Sequence, residues 1–178
     1  MMDRMKRCTL GLKRIWKDLL QNKIAGAYIC PIKIRVILLN VLGNCIEDDC
    51  YFSPKAFLGW GSGRLIVGKN SFINYNVFFD LGADIVIGSN VNIAMNVKFI
   101  NSTHSIGNKY KRAGEKKEKN IMVGDGTWIG ADSLIMPGVK IGRGVIIGAG
   151  SLVLEDCQDN CIYAGRPAKL KRRIVDNE

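Results

Sequence analysis

The chain holds one histidine, and its six cysteines (Cys8, Cys30, Cys45, Cys50, Cys157 and Cys161) include no CxxC pair. Both shortages argue against a zinc site or a His-liganded metal enzyme, which need several ligands at fixed spacing. Free thiols and no metal are expected. Long apolar runs are missing too: Lys33 and Arg35 interrupt the best candidate, between Ala25 and Leu42, so nothing is long enough to span a bilayer. Lys13, Arg14, Lys17 and Asp18 break up any apolar core of a secretory signal, which predicts a cytoplasmic location. Aromatic residues are only 8% of the chain against 47% hydrophobic, and 178 residues suffice for one domain with a core of Ile and Val.

Acidic residues are scarce relative to basic ones, 16 against 26, for a net charge of +10. The excess sits in the N-terminal segment, between Lys109 and Lys119, and in the tail from Arg166 to Arg173. No groove-reading motif or aromatic stacking platform accompanies it, so nucleic acid is not expected as a partner. A small anionic molecule is the more economical match.

What the chain has in quantity is a six-residue period. VGDGTW, IGADSL, IMPGVK, IGRGVI, IGAGSL and VLEDCQ follow one another from Val123. The same phase recovers VGKNSF, INYNVF and FDLGAD from Val67 and, after a two-residue slip, IGSNVN, IAMNVK and FINSTH from Ile87. A short fixed period means a solenoid whose repeats bury their apolar faces by stacking on one another. The fourth position is Asn or Gly in most units, Gly82 included, which predicts a left-handed turn there. Between turns lie short strands with the fifth and first positions inward and the sixth outward. Thr127 and Ile129 are then core, and Trp128 is outside. Three strands per turn of about eighteen residues give about four turns for the twelve units. Periodicity does not give the hand of the coil.

The pieces INYN at Ile73, FINSTH at Phe99, GDGTWIGA at Gly124, PGVKIG, VIIGAGSLV and the closing YAGRPAKLKR at Tyr163 resemble the bacterial hexapeptide-repeat acyltransferases. The likeness is to the sugar O-acetyltransferase branch with the maltose and galactoside enzymes, and it runs from about Cys50 to Ile174. It implies an all-β fold, a left-handed parallel β-helix with an N-terminal helical segment and a short C-terminal extension. It also implies a homotrimer that binds acetyl-CoA between subunits and passes the acetyl group to a sugar hydroxyl, on a polysaccharide precursor or a small glycoside. A sugar amine, an antibiotic or serine is the alternative acceptor, and a non-catalytic scaffold the alternative from another class. The expected division is a basic N-terminal segment (1–49), the β-helix (50–165, with an insertion at 105–122) and a basic tail (166–178).

The resemblance also assigns residues. His104 stands where the family carries its catalytic histidine, and imidazole is the side chain suited to take a proton from a hydroxyl near neutrality. Asn74 matches the acceptor-binding asparagine of the family's N-aromatic-N motif. Asp80 stands near an acidic position of relatives, although turn hydrogen bonding also accounts for both residues. Trp128 matches a tryptophan that lies along the pantetheine arm, Ala131 and Ala149 match backbone contacts to coenzyme A, and Lys169 and Arg172 match basic positions near its phosphates. Relatives commonly carry Thr-Lys where this chain has Leu154 and Glu155, which disturbs that phosphate contact.

Before the repeats, Leu12, Ile15, Trp16, Leu19, Leu20 and Ile24 recur at helical spacing beside Lys13, Arg14, Lys17 and Lys23. Such a helix caps the open end of the solenoid or docks on an anionic membrane surface. The insertion after His104 reads as a solvated loop or as a lid over a neighbouring cleft.

Overall fold

The computed structural model describes residues 11–175; Cys8 lies outside them. A helical segment over 11–18, α1, continues into a π-helical stretch, Leu19–Ile24. The second helix is α2 (Ile32–Val41). Three parallel sheets follow, one for each face of a triangular coil. The first face stacks β1 (Cys45–Ile46), β4 (Leu65–Val67), β7 (Ile85–Ile87), β12 (Ile121–Val123) and β15 (Lys140–Ile141). The second stacks β2 (Tyr51–Phe52), β5 (Phe72–Ile73), β8 (Asn92–Ile93), β13 (Trp128–Ile129), β16 (Ile146–Ile147) and β18 (Cys161–Ala164). The third stacks β3 (Phe57–Leu58), β6 (Phe78–Phe79), β9 (Lys98–Phe99), β14 (Leu134–Ile135) and β17 (Leu152–Val153).

The fifth and first positions of the repeat do face inward. Val77 with Phe79, Thr127 with Ile129 and Val145 with Ile147 are buried, and Phe79 stacks on Phe99 at 5.2 Å between ring centroids. Each large aliphatic side chain so buried contributes roughly 1.5–3 kcal/mol. Small polar residues in the fifth position tie successive coils together. The Thr127 hydroxyl donates to the Gly142 carbonyl at 2.8 Å and accepts from the Val145 N–H at 3.2 Å. Cys157 occupies the same inward column, and burial pushes its thiol up to about 12.

Several expectations need correction. The coil begins at Cys45, so the solenoid has five complete turns and a sixth begun at Cys157, more than the four counted from Val67. The reason is register. Val123, Ile129 and Ile135 pair eighteen residues ahead, but Val67 and Ile73 pair with Ile87 and Ile93 twenty residues ahead, and Ile46 with Val67 at twenty-one. The extra residues lie at the corner after the third face, where an eighteen-residue ruler loses phase. In that corner Leu81, at φ 56°, takes the left-handed conformation, and Gly82 does not. A Cβ on Gly82 would instead lie 2.7 Å from the Ser102 hydroxyl. The 105–122 insertion is an ordered antiparallel hairpin, β10 (Ser102–Ile106) with β11 (Ala113–Glu118). The tail folds back as β19 (Lys169–Arg173) along β18.

The open end of the first coil is sealed mainly by α2, which buries Val36, Leu39 and Arg35. The Arg35 guanidinium donates to the carbonyls of Ala25 at 2.6 Å, Phe52 at 2.5 Å, Ala27 at 2.8 Å and Cys30 at 2.9 Å. Helix α1 meets the coil through polar side chains: Gln21 Nε2 and Asn22 Nδ2 both donate to the Leu58 carbonyl, at 3.0 and 2.9 Å. Most of its apolar residues stay out of the cap: Leu12, Ile15, Trp16, Leu19 and Ile24 are exposed, and Leu20 is half-buried. Among the described residues no helix is long and apolar enough to cross a membrane.

Candidate active site

His104 lies on β10, where the chain leaves the coil. The base of the hairpin is pinned by the buried Asn101, whose side chain donates to the Ala83 carbonyl at 2.5 Å and accepts from the Gly82 N–H at 2.9 Å. The Asn101 carbonyl accepts the Lys119 N–H at 2.9 Å, which fixes the returning strand. Across the hairpin His104 opposes Lys116 and Ser102 opposes Glu118. Directly opposed residues of an antiparallel pair, and residues two apart on one strand, share a face. All four side chains therefore project from the same side.

That side borders a cavity of about 500 Å³. Lys116 and Glu118 line it and form an ion pair with each other. Phe57, Trp60, Phe78, Asp80 and Arg14 complete the wall. Phe57 and Phe78 are stacked 5.2 Å apart, and Trp60, exposed at its rim, donates its indole N–H to Asp18 Oδ1 at 2.8 Å. Hydrogen bonds from Asn22 and then Trp60 hold the Asp18 carboxyl below the usual carboxylate range. Asp80 Oδ2 accepts from both the N–H (2.9 Å) and the hydroxyl of Ser102, two residues before His104. Asp80 thus braces the strand that carries the histidine as well as facing the cavity. Arg14, Trp60, Lys116 and Glu118 escaped sequence reasoning. The first coil lay outside the ruler, and the hairpin pairing that turns Lys116 and Glu118 toward His104 has no six-residue period.

The other expected site residues lie elsewhere on the prism. Asn74, Ala131 and Ala149 fall at the corner between the second and third faces, Asn74 in the second coil and Ala131 and Ala149, one position further along the repeat, in the fourth and fifth. Asn74 Oδ1 accepts the Tyr75 N–H at 2.7 Å, a local turn bond. Trp128 projects from the second face, 55% exposed, between Asn92 and Ile146 in the adjoining strands. The corner is built for close approach, because a Cβ on Gly130 would lie 2.5 Å from the Ala149 nitrogen. Lys169 and Arg172 are exposed on β19, and Lys169 Nζ pairs with Glu155 Oε2 at 3.5 Å. One chain therefore brings together His104 and Asp80 at one corner, and Trp128, Ala131 and Ala149 on the second face and its following corner. The third face separates the two groups.

A triangular parallel coil interrupted once by a hairpin, with an exposed histidine on that hairpin and an exposed tryptophan on another wall, has the architecture of a hexapeptide-repeat acyltransferase. The bacterial transferase hexapeptide family (six repeats) matches residues 120–155. A putative acetyltransferase of Saccharomyces cerevisiae is 34% identical over 142 residues, 80% of this chain and 71% of that protein. The galactoside O-acetyltransferase of Lactococcus lactis subsp. lactis is 28% identical over 171 residues, 93% and 83% of the two chains. Among solved structures, a galactoside acetyltransferase in complex with coenzyme A superposes with a TM-score of 0.82 at 28% identity, covering 94% of this chain and 83% of that one. A maltose O-acetyltransferase from Clostridium difficile 630 gives 0.78 at 28% identity, with 94% and 89% covered. The chain belongs to the hexapeptide-repeat acyltransferase family.

Proposed function

We propose that this protein transfers an acetyl group from acetyl-CoA to a sugar hydroxyl, with His104 as general base and the cavity beside the hairpin as the acceptor pocket. The observation that carries this reading is the pairing of His104 with Lys116. His104 itself does not line the cavity, but it shares a hairpin face with Lys116 and Glu118, which do, and the cavity's aromatic and carboxylate wall suits a sugar ring. His104 accepts the proton of the attacking hydroxyl as its oxygen bonds to the thioester carbonyl carbon. When the carbon–sulfur bond breaks, the imidazolium returns that proton to the departing thiolate. Asp80 holds β10 through Ser102 and offers its carboxylate to the acceptor; Asn74, the second expected acceptor contact, stands at the other corner and would come from the neighbouring copy.

The donor fits the other wall. Trp128 offers an exposed flat surface for the pantetheine arm, Ala131 and Ala149 leave backbone accessible beside it, and Lys169 and Arg172 supply positive charge for the phosphates. Since the two groups of residues stand at different corners of one prism, the complete site is assembled from His104 of one copy and Trp128 of its neighbour. A homotrimer closes three such sites by symmetry. Relatives named galactoside and maltose O-acetyltransferases support the sugar acceptor and the O-transfer, and a related structure with coenzyme A supports the donor.

The test is an acetyl-CoA acceptor panel read by thiol release, with His104→Ala as control. Positioned general-base catalysis is worth roughly 10²- to 10⁴-fold, so the variant should lose at least 10² in kcat while melting at the wild-type temperature. Near-full turnover by a folded His104→Ala, or release from amines with no hydroxyl accepted, overturns the assignment.

A further inference from the structure

The first helix is mounted the opposite way round from an ordinary amphipathic helix. Arg14, Lys17, Asp18 and Gln21, at helical spacing, turn toward the coil and line the hollows beside Trp60. Leu12, Ile15, Trp16 and Leu19 form the matching apolar stripe and turn outward, at 58%, 61%, 57% and 39% exposure, with Ile24 at 48% further along. An apolar helix stripe is normally the buried face, and a contiguous exposed one marks a surface that binds something. Lys13 and Lys23 are exposed on the same helix, and its one acid over 11–24, Asp18, is turned inward and taken up by Asn22 and Trp60. The outward face therefore combines apolar side chains with positive charge alone.

We infer that this stripe docks the enzyme on an anionic lipid bilayer, with α1 lying in the interface plane. Charge complementarity selects that occupant. Leu, Ile and Trp would enter the boundary between headgroups and acyl chains while the lysines stay at the level of the lipid phosphates, the arrangement interfacial helices use. The opposite side of the same helix lines the cavity beside His104, so docking would hold that cavity just above the headgroups. An acceptor sugar carried on a membrane anchor would meet the enzyme there. The inference stands on the helix and does not depend on the chemistry assigned to His104.

The experiment is co-sedimentation of the full chain with vesicles of phosphatidylcholine containing phosphatidylglycerol, against vesicles of phosphatidylcholine alone. Binding should require the anionic lipid, weaken with salt and fall roughly tenfold or more in Ile15→Ser/Trp16→Ser. Tryptophan emission should shift to the blue on binding in Trp60→Phe and Trp128→Phe and lose that shift in Trp16→Phe. Transfer to a soluble acceptor should be unchanged in the Ile15→Ser/Trp16→Ser variant, since neither residue faces the cavity. No vesicle binding, binding indifferent to Ile15 and Trp16, or a change of oligomeric mass in that variant would overturn the proposal. The last result would assign the stripe to a second copy of the chain.

Discussion

Glu155, which stands where the family resemblance implies a phosphate contact, has a partner in the structure. Its carboxylate lies 3.5 Å from Lys169 Nζ, so one of the cations expected at the coenzyme A phosphates is already engaged. Both side chains are largely exposed, and an exposed pair of this kind is worth at most about 1 kcal/mol. It is weak enough to be exchanged when a phosphate arrives, yet it competes with that phosphate. Glu155→Gln is therefore expected to lower KM for acetyl-CoA by up to about fivefold, with kcat and the melting temperature unchanged. Steady-state kinetics at varied acetyl-CoA decides it, and an unchanged KM would mean that Lys169 plays no part in binding the donor. The six-residue ruler puts Trp128 on the outer wall, where the structure has it, whereas the roles of His104, Ala131 and Ala149 come from the family resemblance alone. Trp60 was not legible, because it sits in a corner lengthened beyond the ruler.

At the scale of elements, the repeat specifies its strands almost completely and its ends hardly at all. The inward columns of Val, Ile, Thr and Ser are set by stacking, so a single sequence period fixes strand, corner and face together. A cap has no period to follow. Helical spacing placed Leu12, Ile15 and Trp16 on one face but could not say which face the coil would take, and polar contacts to Leu58 decided in favour of the other. Arg35, which sequence reasoning used only as an interruption of an apolar run, is the plug of the open end. Its guanidinium satisfies four main-chain carbonyls from two separate stretches of chain, 25–30 and Phe52. Arg35→Met keeps the bulk and removes every donor, leaving buried carbonyls unpaired at about 1–3 kcal/mol each. The expected loss is at least about 3 kcal/mol, or roughly 6–12 °C in Tm for a chain of this size, measured at fixed protein concentration. A shift below about 2 °C would show that apolar packing of Val36 and Leu39 alone closes the coil.

The whole molecule is a prism on which the two halves of the proposed site stand at different corners, so the proposed function makes assembly part of catalysis. The hairpin lengthens the coil-to-coil register from eighteen residues to thirty-six between Ile87 and Val123, so it projects from one corner without disturbing the sheets above and below. In the proposed assembly, this projecting arm would carry His104 to the Trp128 wall of a neighbouring copy, which its own third face does not present. Complementation tests this directly. His104→Ala and Trp128→Glu subunits are each expected to be inactive alone, the first lacking the base and the second carrying a carboxylate where the donor arm should lie. When the two are unfolded, mixed in equal amounts and refolded together, a site that draws His104 from one copy and Trp128 from the next is intact wherever a Trp128→Glu subunit supplies the histidine and a His104→Ala subunit supplies the tryptophan. Random assembly makes about a quarter of the sites whole, so about a quarter of wild-type turnover should return. If each chain carried its whole site, every site in the mixture would keep one lesion and no activity would return, and the assembly would then be a matter of stability alone.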